Sequence, residues 1–84
     1  MNLQHNKKDK TDMRLLDKDG NVLGYIKEFR EYGNTKYRAS VTIHSHISYG
    51  VLNSLQDAIG YIVSEKGLMT FTEWCQKLEE RKNK

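Results

Sequence analysis

KYRASVTIH, residues 36–44, is the stretch whose reading decides the architecture. Tyr37, Ala39, Val41 and Ile43 alternate with Lys36, Arg38, Ser40, Thr42 and His44. Successive side chains of a strand leave on opposite faces, so this period-two pattern predicts a strand that is apolar on one side and polar on the other. Upstream, VLGYIKEFREY (22–32) is a second strand-like run that ends at Gly33-Asn34. That dipeptide reads as a two-residue hairpin with glycine at its first central position. Before it, RLL and VLGYI flank the turn-forming cluster Asp17-Lys18-Asp19-Gly20-Asn21, a further hairpin in which Gly20 supplies the positive φ. Downstream, Ser45 and His46 read as a turn into another strand, ISYGVL (47–52).

Helical signals follow. Leu55, Ala58, Ile59 and Ile62 fall at i, i+3, i+4 and i+7, the apolar stripe of a helix. Ser54 caps its start, Asp57 complements the dipole in its first turn, and Gly67 takes the position just past its end. Gly60 inside that helix costs about 1 kcal/mol against alanine, which points to a close approach of helix to sheet. Thr70 and Glu73 form a capping box for a second helix, with Met69 stapling onto Trp74. Phe71, Trp74, Cys75 and Leu78 share the apolar face of that helix, and EERKNK frays at its end.

Strands first and helices after them predict an α+β fold: a three- to four-stranded antiparallel sheet with two C-terminal helices, one of them packed on one sheet face. The other face is left open. Residues 1–12 are polar and aperiodic and read as a flexible arm, and residues 13–84 as a single βββαα domain with a frayed tail. Eighty-four residues leave no room for a second core.

Composition narrows the roles. The one cysteine, Cys75, allows no intrachain disulfide and suits a reducing compartment. The N-terminal segment lacks the apolar run of a signal peptide, and no stretch of about 18 apolar residues is present, so a cytoplasmic location without membrane attachment is expected. The net charge of +3 divides into +2 over residues 1–14, 0 over 15–66 and +1 over 67–84. The basic excess therefore lies at the ends, and the core segment is neutral.

Chemistry is sparse. His44 and His46 share a strand face if the strand runs on, but a zinc site needs three or four ligands. His5 in the arm and Cys75 on an apolar helix face do not complete one, so no metal or cofactor is expected. Asp17, Asp19, Asn21 and Glu28 sit at calcium-loop positions 1, 3, 5 and 12, yet position 6 is Val22 rather than glycine and the flanks read as strands. A hairpin turn is the better reading. Cys75 has no histidine near it in sequence, and no glycine-rich loop opens a helix. The expectation is a non-enzymatic protein. The candidate binding residues are the polar row on the open face, Lys36, Arg38, Ser40, Thr42 and His44, with Lys27 and Arg30 alongside from the preceding strand.

Two resemblances extend this reading. Lys36-Tyr37-Arg38-Ala39-Ser40-Val41, followed by Gly50-Val51-Leu52-Asn53-Ser54-Leu55-Gln56-Asp57-Ala58, resembles the sheet-plus-helix pattern of AP2-type and integrase arm-type DNA-binding domains over residues 22–66. The resemblance implies duplex DNA as partner, with Arg38 and Ser40 approaching bases and Lys36 a phosphate. In size, class and lack of an active site, the chain is also similar to small phage-encoded inhibitors of the anti-CRISPR type. That similarity implies docking on a host protein or nucleoprotein complex and blocking it.

Overall fold

The computed structural model describes residues 1–82. It is an α+β domain with strands β1 (Asn2–His5), β2 (Asp12–Leu16), β3 (Val22–Glu31), β4 (Asn34–Ile43) and β5 (His46–Leu52), then helices α1 (Leu55–Glu65) and α2 (Phe71–Lys82). The five strands form one antiparallel sheet in the order β1-β2-β3-β4-β5, each beside its neighbours in sequence. Asn2 to His5, expected within an arm, instead pair with Leu16 to Met13 of β2, which is why the sheet has five strands rather than three or four.

Both central hairpins are closed by two residues with positive φ. Tyr32 (51°) and Gly33 (79°) join β3 to β4, and His44 (48°) and Ser45 (70°) join β4 to β5. Positive φ at both central positions defines the type I′ turn, whose twist matches that of the flanking strands. The expected turns at Gly33-Asn34 and Ser45-His46 are thus each one residue too late. Glu31 pairs with Asn34 and Ile43 with His46. The Asp17–Asn21 hairpin is as expected. Gly20 has φ +86°, and the Asp17 carboxylate accepts from the backbone N–H groups of Asp19 (2.8 Å) and Asn21 (2.9 Å). That carboxylate is thereby held below its usual range, chiefly by the Asn21 backbone N–H.

The core lies between α1 and one sheet face. Met13, Leu15, Ile26, Ala39 and Val41 from the strands meet Ala58, Ile62 and Val63 from α1. The Ser54 hydroxyl accepts from the Asp57 backbone N–H at 3.1 Å and caps the start of α1. A Schellman arrangement at Gly67 ends it, with Gly67 N–H donating to Ser64 O and Leu68 N–H to Val63 O, each at 3.0 Å. Thr70 and Glu73 make the expected capping box at the start of α2. Gly60, however, does not face the sheet. A Cβ there would lie 2.3 Å from Cδ1 of Trp74, so the close approach is between α1 and α2. The side chains of Phe71 and Leu78, and the tail beyond Lys82, lie outside the described residues.

Candidate binding face

Alternation along β2 to β5 sends every second side chain away from α1. The register aligns these side chains in rows across the sheet. One row runs Gln4, Arg14, Tyr25, Ser40, Tyr49, and the next runs Asp12, Lys27, Arg38, Val51. Thr42 stands beside Ile47 above the first row, and Phe29 beside Lys36 below the second. Tyr25 (54%), Tyr49 (56%), Ile47 (57%) and Val51 (57%) are all more than half exposed, so this face holds a contiguous aromatic and apolar area among cations. Arg38 places its guanidinium carbon 4.8 Å from the Tyr49 ring centroid, a cation–π contact that fixes the arginine over β5. Arg14 Nε donates to Gln4 Oε1 at 2.7 Å and is held over β1 and β2 in the same way.

The loop between β1 and β2 curls over one end of this face. Its backbone is fixed by Asn6 N–H donating to Asp12 O and Glu28 N–H to Thr11 O, each at 2.9 Å. Lys27 Nζ rises to meet it, 2.8 Å from Asp9 Oδ2, 2.8 Å from Thr11 Oγ1 and 3.2 Å from Asp12 Oδ1. The Lys27 ammonium and the Thr11 hydroxyl hold the Asp9 carboxyl down at about 2, and the Lys27 ammonium is raised in turn. Loop and sheet enclose an open cleft of about 820 Å³, lined among others by Lys7, Lys8, Arg14, Tyr25, Arg38 and Tyr49. Lys27 is neutralised by Asp9 and Asp12, whereas Lys7, Lys8, Arg14 and Arg38 make no ion pair among the described residues. The cleft is therefore cationic with aromatic walls.

The structure sorts the residues expected to bind. Lys36, Arg38, Ser40 and Thr42 stand on the open face, with Lys36 donating to Asn53 Oδ1 at 3.1 Å. Lys27 is on that face too, but its charge is spent fastening the loop. Arg30 pairs with Thr35 in the same parity as Ile26 and Ala39, so it leaves from the opposite face. His44 is a turn residue and does not continue the row, because the type I′ turn begins there. His46 opens β5 opposite Ile43, so the two histidines belong to different elements. Among the described residues, no three His, Cys, Asp or Glu side chains are placed to share a metal ion. No helix among them is long and apolar enough to cross a membrane.

Arg14, Tyr25, Tyr49, Lys7 and Lys8 were missed by the sequence reading. Arg14 was detectable, since Asp12-Met13-Arg14-Leu15 alternates as β4 does. Tyr49 was not, because β5 is inverted relative to the usual pattern: Ile47, Tyr49 and Val51 face outward while Ser48 and Gly50 face the helix. The cause is Tyr61 of α1. Its ring would lie 2.8 Å from a Cβ on Gly50, and its hydroxyl hydrogen-bonds Ser48 Oγ at 2.6 Å, so only small residues fit beneath the middle of β5, while Leu52 at its end packs against the core.

No family model, characterised protein or solved structure matches the chain.

Proposed function

We propose that this chain is a non-enzymatic binding protein of the cytoplasm that docks through its open sheet face on an acidic surface of a host protein or nucleoprotein complex and blocks it. The observation that carries this reading is the placement of Tyr25, Tyr49, Ile47 and Val51 beside Arg14 and Arg38 on one face. Exposed aromatics and arginines are the residues that dominate binding energy at protein interfaces. Holding Arg38 against Tyr49 and Arg14 against Gln4 reduces the side-chain entropy that binding would otherwise cost. The mode of action is that of small phage-encoded inhibitors, which act by occupying a surface.

A second reading, binding of duplex DNA by the sheet, is favoured by one observation. β3, β4, β5 and α1 follow the order of the arm-type domains, with Lys36, Arg38 and Ser40 outward as that resemblance requires. Two measurements separate the readings. The first is titration against duplex DNA at 50 and 200 mM salt. The second is affinity capture with the wild type and with Arg14→Ala/Arg38→Ala, followed by direct binding of the purified captured protein. The inhibitor reading expects a protein partner retained by the wild type and lost by the variant, with DNA bound more weakly than micromolar. Micromolar or tighter DNA binding with a log–log salt slope near −4 or steeper would replace it with the DNA reading.

A further inference from the structure

The outer edge of β5 differs from an ordinary sheet edge. Natural edge strands are shielded by short length, lysine, proline or a bulge. The opposite edge, β1, is only four residues long. β5 runs for seven residues, HISYGVL, with no lysine and no proline. Its pairing with β4 continues without interruption from Ile43–His46 to Tyr37–Leu52. Among the described residues no strand but β4 pairs with it, and α2 is seated on α1 through Trp74 against Gly60 rather than beside β5.

The turn chemistry states which backbone groups are free. A two-residue type I′ turn closes on a hydrogen-bonded pair, here Ile43 and His46, and hydrogen-bonded pairs alternate along an antiparallel ladder. Ser48, Gly50 and Leu52 therefore also bond to β4. Ile47, Tyr49 and Val51 direct their N–H and C=O groups away from it, into the edge.

We infer that this edge pairs antiparallel with the same edge of a second copy, with a two-fold axis at Tyr49, joining the two sheets into one of ten strands. The inference does not depend on what the open face binds. Two-fold self-pairing sets each residue against its mirror position, and Ile-Ser-Tyr-Gly-Val gives compatible partners throughout: β-branched against β-branched, small against small, aromatic against aromatic. In this register Tyr49 meets Tyr49 and Ile47 meets Val51 of the second copy, in the hydrogen-bonded pairs that the outward N–H and C=O groups require. The exposed side chains of the two strands then form one apolar row. Charge does not oppose it, because β5 carries no charged side chain. The Cα atoms of Arg38 and its counterpart lie roughly 19 Å apart at ordinary strand spacings, and each guanidinium rests on the face of its own Tyr49 ring. An unrelated strand would satisfy the edge's hydrogen bonds, whereas a second copy also sets Tyr49 against Tyr49 and Ile47 against Val51.

The test is sedimentation equilibrium of the intact chain across about 10 μM to 1 mM, with residue-resolved amide exchange at both ends of that range. The expected result is a rise from 9.8 kDa toward twice that mass, with the Ile47, Tyr49 and Val51 amides gaining protection as concentration increases. Ile47→Lys/Val51→Lys, whose changes lie on exposed positions, is expected to stay monomeric, as is Tyr49→Pro, which removes an outward N–H together with the ring that meets its counterpart. A wild type monomeric at 1 mM overturns the inference. So does a dimer in which those three amides still exchange freely, because it would be associating through its faces. A dimer that survives the double lysine substitution overturns it as well.

Discussion

Replacing Gly60 by alanine sets two effects of opposite sign against each other. Alanine in a helix interior is favoured over glycine by about 1 kcal/mol. Against this, the new Cβ would stand 2.3 Å from Cδ1 and 2.7 Å from Nε1 of Trp74, where carbon contacts settle near 3.5–4.0 Å. The indole must retreat by more than about 1 Å, and overpacking of that kind costs about 1–3 kcal/mol. It cannot retreat freely, because Nε1 donates to Gln56 O at 2.9 Å and the side chain is only 9% exposed. A buried donor left without its acceptor adds about 1–3 kcal/mol. The net expectation is a loss of about 2 kcal/mol, which for a domain of this size lowers Tm by roughly 10 °C. Urea denaturation followed by circular dichroism measures it. The control is the same substitution in a Trp74→Val background, where only helix propensity remains and alanine should stabilise by about 1 kcal/mol. The two values imply a coupling of about 3 kcal/mol between positions 60 and 74. If Gly60→Ala stabilises the wild type, or acts alike in both backgrounds, Trp74 is not seated against Gly60 and the account of α2 is wrong.

Three further outcomes are expected. Tyr32→Asn should raise stability by about 1 kcal/mol in thermal melts, because Tyr32 is 95% exposed at φ 51° and Asn-Gly suits a type I′ turn where a bulky residue is strained. No change in Tm would contradict the turn assignment. Acidification should release the β1–β2 loop, read as loss of the Asp9–Lys27 contacts by NMR. Asp9 titrates near 2 in the folded chain and near 4 when unfolded, so its contribution is complete above about pH 4 and is lost as pH falls through about 2. Asp9→Asn should open the loop already at neutral pH, and a loop unmoved by both changes would mean that Lys27 does not fasten it. Tyr25→Ser/Tyr49→Ser should leave stability within about 1 kcal/mol, since both side chains are more than half exposed, yet abolish partner capture. Capture at wild-type strength would move the binding surface off this face.

What could be read from the residues was local. The alternation of Tyr37 to Ile43, the Ser54 cap and the Thr70–Glu73 box each lie within a few residues, and each is found where the spacing puts it. What could not be read was settled by partners distant in sequence. Asn2–His5 has no apolar period of its own, and its strand exists because β2 offers an edge. Lys27 counts as a free cation until Asp9, 18 residues earlier, is brought over it. Gly60 announces a close approach but not its cause, which lies in the next helix. The open face was legible in β4, in Lys27 of β3 and in the alternation that carries Arg14 in β2. In the middle of β5 the rule that large apolar side chains point inward fails, because Tyr61 leaves room there only for Ser48 and Gly50, and only Leu52 at the strand's end packs inward.

That inversion links the two proposals and also keeps them separable. Stability does not call for isoleucine, tyrosine and valine on the solvent side of β5; threonine would hold the strand equally well. Their presence in the outward rows makes them available both to a ligand on the face and to a second copy at the edge, but through different atoms. The face acts through side chains, with Arg14, Tyr25 and Arg38 around a cleft complete within one chain. The edge acts through the backbone groups of Ile47, Tyr49 and Val51. A chain held monomeric therefore keeps one whole cleft. In the paired form, two clefts lie on the same side of one sheet, their Tyr25 residues five strand steps apart, or about 24 Å. A partner engaging both would carry acidic groups at that spacing about a two-fold axis, and its apparent affinity would fall on monomerisation without loss of any contact within a single cleft. A partner that binds the monomeric double lysine variant as tightly as the wild type engages one cleft alone and does so without the Ile47 and Val51 side chains of the face.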